Sequence, residues 1–288
     1  MTTHKVSRDL TSIIVTTYDR PDALRRVLLE LDRQSSDAFE VVVADDGSSR
    51  ETADTIAGLR DRVRYRLKHV WQENRGFRAA RIRNLAVLES EGDYLIFLDG
   101  DCIPLKHFVE DHRWLAEPGW WVRGTRVSLR REFSERVLRE GLNVADWPLA
   151  RWAVAKVRGE AGGPAPLVRF RTQAFRKRSP TRWQGARGCN IAVWRDDYWR
   201  VDDFDESYAG WGREDSDLVI RLINSGVYPK EGRFLVPVLH LWHPLESRSK
   251  WETNDALLNE AIETGSTRAR RGISSHFSKQ PASQADGA

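Results

Sequence analysis

Three apolar runs in the first third of the chain each end directly in a polar cluster, and helical patterns separate them. The runs over residues 12–15, 39–44 and 94–98 are apolar except at Ser12 and Glu40, which is typical of strands buried on both faces. A helical pattern of leucine and valine begins at Pro21, and similar patterns cover residues 52–60 and 77–89. Strands that alternate with helices predict a parallel sheet with crossover helices.

The polar clusters are expected to meet in one crevice, because ligands of open α/β sheets bind at the carboxyl ends of strands. The chain contains no G-x-x-x-x-G-K-[ST] loop and no G-x-G-x-x-G turn, so a nucleotide bound there would need another cradle. The clusters are Thr16-Thr17-Tyr18-Asp19-Arg20, Asp45-Asp46-Gly47-Ser48 and Asp99-Gly100-Asp101.

Asp99 and Asp101 follow a core strand, where carboxylates are poorly placed for packing and well placed for a cation. Hard divalent ions such as Mg²⁺ or Mn²⁺ take oxygen ligands and bridge to phosphate oxygens. Gly100 between them allows a tight backbone turn. An isolated Asp-x-Asp is more often a capping residue followed by a turn residue, so this interpretation depends on the rest of the chain.

The composition limits the class of protein. The chain is 40% hydrophobic and 31% charged, as in soluble globular proteins, and no apolar stretch approaches the roughly 20 residues that span a bilayer. Residues 1–10 carry charge and no apolar signal-peptide core, which predicts a cytoplasmic location. Cys102 and Cys189 do not form a metal-type pair, so we expect free thiols in a reducing compartment.

The net charge of +4 is unevenly distributed. Between Arg123 and Arg182, fifteen basic residues stand against five acidic ones, and Trp147, Trp152 and Phe170 lie among them. Such a mixture suits an anionic surface, and a solvated charged face is an equally good interpretation. No nucleic-acid-binding motif supports a nucleic-acid partner, so we expect peripheral association with the inner face of an anionic membrane.

The second half of the chain is less regular. Gly226 lies where a helix C-terminal cap belongs, and no internal repeat is visible. The predicted elements are a strand over 120–129, a basic amphipathic helical stretch over 130–159, a loop over 162–166, a strand over 190–194 and a helix over 214–225.

Taken together, Asp45-Asp46-Gly47-Ser48, Asp99-Gly100-Asp101 and the run Gly210-Trp211-Gly212-Arg213-Glu214-Asp215 resemble an inverting family 2 glycosyltransferase of the GT-A type. The C-terminal half resembles the galactosyltransferase C-terminal module shared with β-1,4-galactosyltransferases and bacterial chondroitin polymerase. The resemblance covers residues 12–244; the six-residue run is specific, whereas the Asp-x-Asp alone is weak. It implies an α/β fold with a mostly parallel central sheet, flanking helices and a Rossmann-like nucleotide-binding half.

The expected organisation has four parts, and it follows the resemblance and the distribution of charge. They are a nucleotide-sugar-binding half (1–122), a basic amphipathic insertion facing the acceptor or a membrane (123–187), an acceptor-binding and catalytic half (188–278) and a disordered tail (279–288).

The resemblance also implies a metal-dependent reaction with a UDP-sugar donor. Asp101 would hold Mn²⁺ or Mg²⁺, and Asp99 would reach the ribose or the water shell of the metal. A histidine of the His240-Leu-Trp-His243-Pro244 run would be a further ligand, with His240 at the strand end preferred and His243 as the fallback. Because histidine suits Mn²⁺ better than Mg²⁺, Mn²⁺ is favoured.

Glu214 and Asp215 are adjacent at the start of a predicted helix, where the helix dipole keeps carboxylates ionised. By the family pattern Asp215 is the general base, Glu214 holds the acceptor, and Trp211 stacks on the acceptor sugar. Related retaining enzymes have Glu-Asn here, so inversion is expected. The alternatives are a retaining transferase and a non-catalytic sugar- or membrane-binding module.

Ten residues are candidates for donor binding: Thr16, Tyr18, Arg20, Asp45, Asp46, Arg78, Arg81, Asp99, Gly100 and Asn190. Asp45 could accept a hydrogen bond from the imide N–H of uracil. Arg78 and Arg81 could meet the diphosphate, although exposed helix arginines are equally common. Gly188 and Asn190 lie where the resemblance places donor-sugar or acceptor contacts.

The expected acceptor is a saccharide or lipid-linked saccharide of cell-surface polysaccharide or lipopolysaccharide synthesis.

Overall fold

The computed structural model describes residues 6–163, 167–177, 179–244 and 247–277, and these form two sheets with flanking helices. The strands are β1 (Ser7–Thr17), β2 (Phe39–Asp45), β3 (Arg66–Trp71), β4 (Gly92–Asp99), β5 (Cys102–Pro104), β6 (Trp120–Arg123), β7 (Thr125–Ser128), β8 (Asn190–Trp194), β9 (Tyr228–Glu231) and β10 (Pro237–His240). The helices are α1 (Pro21–Leu31), α2 (Arg50–Arg60), α3 (Ala79–Leu88), α4 (Phe108–Leu115), α5 (Arg131–Glu140), α6 (Leu149–Val157), α7 (Arg195–Arg200), α8 (Glu214–Asn224), α9 (Trp251–Glu263) and α10 (Ser274–Phe277). Residues 164–166 of the predicted loop and the predicted tail over 279–288 lie outside the described residues.

The large sheet has the strand order β3-β2-β1-β4-β8-β6-β9 and is mostly parallel, as predicted. Only β8 runs antiparallel to its neighbours, β4 and β6. Alternate residues of β1 enter opposite cores: Ile13 packs with Leu24 of α1, and Ile14 packs with Ile82 of α3. Helices therefore cover both faces, which explains why these strands are apolar at successive positions. Strand β6, from the predicted first half, lies between β8 and β9 of the predicted catalytic half.

The single strand predicted over 120–129 is wrong, because the chain changes sheets at Gly124. Strand β6 stays in the large sheet, whereas β7 pairs with β10 in a second sheet of order β5-β10-β7. A Cβ at Gly124 would lie 2.1 Å from the Asn190 side chain. The Asn190 Nδ2 donates to the Val236 carbonyl at 2.7 Å, so this buried amide ties the two sheets together. Apolar patterning could not show this break.

The second sheet brings a histidine to the end of β4. Strand β10 pairs antiparallel with β5, and the register sets His240 opposite Cys102. Because Cys102 directly follows the Asp-x-Asp turn, this register carries His240 to Asp101 although 139 positions separate the two residues in the sequence.

The basic insertion over residues 123–187 is not an exposed basic surface throughout, because some of its aromatic residues are buried and some of its arginines are paired with acids. The predicted helical stretch over 130–159 is two helices, α5 and α6, separated at Gly141, whose φ is +63°. Trp152 is 2% exposed and packs with Trp147 against Phe133. Several arginines pair with acids from other segments: Arg123 with Glu231, Arg169 with Asp111, and Arg171 with Glu110 and Asp111. Within the described residues, no helix is both long and apolar enough to cross a bilayer.

Candidate active site

A cleft of about 1180 Å³ opens at the carboxyl ends of β1 and β4. Its wall is completed by the loop before β8, the first turn of α8, and the residues that follow β10. The structure thus gathers most of the predicted site at one place. The predicted residues on this wall are Thr16, Tyr18, Arg20, Asp46, Asp99, Gly100, Asp101, Gly188, Trp211, Glu214, Asp215, His240 and His243.

Four donor-binding candidates are not on the cleft wall. Both Asp45 carboxylate oxygens are used internally, by the Ser48 N–H at 2.8 Å and by His69 Nε2 at 2.9 Å. Arg78 donates to the Glu73 carbonyl, and Arg81 donates to Gln72. The Asn190 amide is committed to the contacts between the two sheets. In this structure the four side chains have partners within the protein. That Asp45, Arg78, Arg81 and Asn190 contact the donor stays a prediction.

Asp101, His240 and His243 form a cluster at the base of the cleft. The Asp101 carboxylate lies 3.7 Å from His240 Nε2 and 3.6 Å from His243 Nε2. Burial lowers the pKa of His240 to about 3, so the ring is neutral and its lone pair is free to bind a metal. A carboxylate with a neutral imidazole suits Mn²⁺.

Cys102 is a further neighbour of this cluster that the sequence did not suggest. Ligand atoms of Asp101, Cys102 and His240 lie within 4.8 Å of one another. Burial raises the pKa of the Cys102 thiol well above its ordinary value, so the sulfur stays protonated. A protonated thiol is a poor ligand for a hard ion, so the side chains of this cluster that could hold one are Asp101 and the two histidines.

Arg83 links the two halves of the cleft. Its guanidinium lies 3.3 Å from Asp99, donates to Glu214 at 3.0 Å, and donates from Nε to Thr16 Oγ1 at 3.0 Å. Only 4% of the Arg83 side chain is exposed. Arg83 was not among the residues predicted from the sequence, which included two other arginines of the same region. One signal in the sequence could have identified Arg83: it lies three residues after Ala80, so both residues are on the same, buried face of α3.

The acidic pair stands at the first turn of α8. Asp215 accepts hydrogen bonds from the Gly188 N–H at 3.0 Å and from the Ser216 N–H at 2.6 Å. Gly212 has φ of +105°, and a Cβ there would approach the Trp251 ring to 3.0 Å. Glycine is therefore required to deliver Glu214 and Asp215 into the cleft. Burial, reinforced by the neighbouring Asp215 charge, raises the pKa of Glu214 to about 7, against the opposing effect of Arg83.

The raised pKa of Glu214 predicts a pH-dependent contribution to stability. Between pH 4.5 and about 7 the unfolded state ionises this carboxyl while the folded state keeps the proton, so stability falls as pH rises. Glu214→Gln removes that penalty. Relative to wild type, the variant should gain on the order of 2 kcal/mol of unfolding free energy between pH 4.5 and 8, measured by urea unfolding.

The matched control for that experiment is Glu252→Gln, which removes an exposed carboxylate at the start of α9. Its unfolding free energy should follow wild type at every pH. A difference in unfolding free energy between Glu214→Gln and wild type that stays constant from pH 4.5 to 8 would show that folding does not raise the pKa of Glu214.

Trp211 is stacked rather than isolated. Its ring lies 5.6 Å from that of Trp251 with an interplanar angle of 22°, and the Arg248 guanidinium lies 5.5 Å from its centroid. Trp251 and Arg248 also line the cleft. Neither residue was predicted from the sequence, because α9 begins 40 positions after Trp211 and no motif connects them.

Arg126 of β7 is a second arginine that the sequence analysis did not single out. It lines the cleft, and its positive charge acts on Asp99, Asp101 and His240. Its Nε is buried without a hydrogen-bond partner in the described structure. Its Nη1 donates to Cys189 Sγ at 3.9 Å. A cation beside a metal-type cluster is suited to phosphate oxygens.

Two family models match the chain. The model described as glycosyl transferase family 2 matches residues 12–116 and includes the Asp-x-Asp turn. The model described as the N-terminal domain of galactosyltransferase matches residues 169–235 and includes the Gly-Trp-Gly-Arg-Glu-Asp run. The chain belongs to glycosyltransferase family 2. The galactosyltransferase-type module is also confirmed, although that description names the N-terminal rather than the C-terminal domain.

Relatives agree with this assignment. Validoxylamine A glucosyltransferase of Streptomyces hygroscopicus subsp. jinggangensis is 32% identical over 231 residues, covering 76% of this chain and 52% of that protein. Chondroitin synthase of Escherichia coli is 25% identical over 228 residues, covering 75% of this chain and 32% of that protein. The chain thus spans about half the length of the first relative and a third of the second.

Solved structures agree on the GT-A fold. The mannosyltransferase PcManGT of Pyrobaculum calidifontis, in complex with GDP-Man and Mn²⁺, matches with a TM-score of 0.59 at 19% identity, covering 89% of this chain and 65% of that one. TarS of S. aureus in complex with UDP-GlcNAc matches with a TM-score of 0.55 at 15% identity, covering 86% and 65%.

Proposed function

We propose that this family member is an inverting, metal-dependent glycosyltransferase that uses a UDP-sugar. The observation that carries the proposal is the position of Arg83, whose guanidinium contacts Asp99 of the Asp-x-Asp turn and Glu214 of the acidic pair at once. A donor bound at the metal-type cluster and an acceptor bound at the acidic pair would therefore meet in one cleft.

On the donor side, Asp101 and His240 would hold Mn²⁺, with His243 as the alternative histidine. A bound ion would neutralise negative charge on the diphosphate as the bond between the diphosphate and the sugar breaks. Arg126 would donate to the phosphate oxygens, and its orphaned Nε supports this role. The exposed ring of Tyr18, held by a hydrogen bond from Asn74, is suited to stack on the base.

On the acceptor side, Asp215 would remove the proton of the attacking hydroxyl. The acceptor oxygen would bond to the anomeric carbon from the face opposite the diphosphate, so the configuration inverts and the proton ends on Asp215. The Gly188 and Ser216 N–H groups orient the carboxylate. Trp211, backed by Trp251, would support the sugar ring, and Glu214 would bind another acceptor hydroxyl.

The base of the nucleotide and the identity of the acceptor are finer parts of the proposal. One structural neighbour carries GDP-Man and another UDP-GlcNAc, so the fold accommodates either base. We favour UDP and a growing saccharide in cell-surface polysaccharide synthesis, in the cytoplasm, because a polysaccharide synthase is among the relatives. A lipid-linked saccharide is the alternative acceptor.

Thermal unfolding with added ligands tests the proposed function. UDP with Mn²⁺ should raise Tm more than UDP alone, Mn²⁺ alone or GDP with Mn²⁺, because a ligand that binds only the folded state stabilises it. With excess UDP-sugar and a saccharide acceptor, the protein should also release UDP. The absence of stabilisation by any nucleotide with Mn²⁺ would contradict the proposal, and binding without turnover would favour the non-catalytic module.

A further inference from the structure

Helix α6 has an apolar face that points to solvent. At 3.6 residues per turn, Trp152 and Ala155 lie on the opposite face, and both are buried. The exposed fraction is 89% at Val157 and 49% at Val154, so the outward residues are not covered by the described chain. We define the α6 outer face as the five exposed apolar residues Leu149, Ala150, Ala153, Val154 and Val157.

Exposed cations flank the α6 outer face on both sides. Arg151 and Arg158 fall on one flank of the helix and Lys156 on the other. No acidic residue occurs from position 147 to position 159. Among the described contacts, none of the three cations pairs with a carboxylate; Arg151 instead lies 3.7 Å from the centroid of the Trp147 ring.

We propose that the α6 outer face docks the protein on an anionic membrane surface. An apolar ridge between two rows of cations matches the bilayer interface, where apolar side chains enter the acyl boundary and Lys and Arg reach the headgroups. A second copy of the chain does not fit, because two-fold symmetry would set the same cations against one another. Nucleic acid does not fit either, since an aliphatic ridge offers no aromatic surface for stacking bases.

This docking surface is smaller than the basic segment suggested by the sequence. Trp152 is buried and Trp147 is partly buried against it, and several arginines outside α6 are neutralised by ion pairs. The proposed docking surface therefore consists of the α6 outer face and its three flanking cations. It does not depend on the overall charge of residues 123–182.

The position of α6 would bring the cleft to the membrane. The chain leaving α6 pairs with the end of β7 and the residues just after it: the Gly162 N–H donates to the Ser128 carbonyl, and the Arg130 N–H donates to the Glu160 carbonyl. Arg130, Ser128 and Gly162 all line the cleft. Docking through the α6 outer face would thus hold one rim of the cleft near the lipid surface. The proposal is independent of which sugar the cleft binds.

Vesicle sedimentation of the whole chain tests the proposal. At low salt the protein should bind vesicles of phosphatidylcholine mixed with phosphatidylglycerol at least tenfold more tightly than vesicles of phosphatidylcholine alone. Binding should weaken as salt rises, because the Debye length falls to about 3 Å at 1 M.

Two double variants separate the roles of charge and apolar surface. Lys156→Gln with Arg158→Gln should weaken binding to the anionic vesicles on the order of tenfold, from the loss of two interfacial cations. Val154→Asn with Val157→Asn should weaken it without any change of charge. The matched control, Arg60→Gln with Arg62→Gln, removes two exposed cations elsewhere and should bind as wild type does. Nucleotide binding with Mn²⁺ should be unchanged in all three, which shows that the cleft is intact.

Three outcomes would overturn the proposal. Equal binding to both kinds of vesicle excludes an anionic surface. Wild-type binding by the Val154–Val157 variant shows that the ridge does not enter the bilayer. Binding to RNA or self-association that depends on α6, without vesicle binding, assigns the face to another partner. None of these results bears on nucleotide binding, so docking and the proposed function can fail separately.

Discussion

Asp215→Asn is expected to lower the rate of sugar transfer by about 10²-fold or more, the usual scale for loss of a general base. The Gly188 and Ser216 N–H groups donate to different oxygens of Asp215. Asparagine keeps the size of the side chain, but its single carbonyl oxygen can accept only one of these two hydrogen bonds. It cannot take a proton from the acceptor hydroxyl. Donor affinity, measured by calorimetry with UDP and Mn²⁺, should therefore survive while kcat falls.

Glu214→Gln is the matched comparison for this variant, because the two acids are adjacent and share the first turn of α8. The pKa of Glu214, raised to about 7, is near the range in which a general base works best, so Glu214 is the rival candidate. If Glu214→Gln abolished turnover while Asp215→Asn kept a near wild-type rate, the assignment would be reversed. If Asp215 is the base, Glu214→Gln should raise KM more than it lowers kcat.

The sequence predicted the parts of this molecule that depend on local pattern. Strands β1, β2 and β4 and the helices between them follow from apolar periodicity, and the helix after Gly212 was placed correctly at Glu214. Polar clusters at strand ends also predicted where the cleft would open, since the carboxyl ends of parallel strands share one edge of a sheet.

The parts that failed depend on contacts between distant segments. Nothing in the local pattern showed that the chain changes sheets at Gly124, or that Asn190 closes that junction. Arg83 was missed because a buried arginine has meaning only once its partners, Asp99 and Glu214, are known. Tertiary pairing decides which polar side chain reaches the cleft, and residue type alone does not.

Asp101→Ala is expected to remove Mn²⁺-dependent UDP binding while the fold stays intact. Asp101 is the carboxylate that both histidine rings face, and at the carboxyl end of β4 it contributes no apolar packing. Loss of a residue that only supports a metal ligand typically costs 10- to 100-fold in affinity, so loss of a ligand should cost at least about 100-fold. Burial raises the pKa of Asp101 above its ordinary value, which means that ionising it opposes folding. Removing it should therefore not lower stability near neutral pH.

The two histidines supply the internal comparison for Asp101→Ala. His240 is fixed by the register of β10 against β5 and is 11% exposed, whereas His243 is 28% exposed and its Nδ1 lies 2.7 Å from the Pro244 carbonyl. A ligand held on a strand is better organised than one in the segment that follows it. His240→Ala should therefore weaken Mn²⁺–UDP binding in calorimetry by a larger factor than His243→Ala. Unchanged Mn²⁺–UDP affinity in Asp101→Ala would show that the metal does not bind at this cluster. A larger effect of His243→Ala than of His240→Ala would identify His243 as the second ligand.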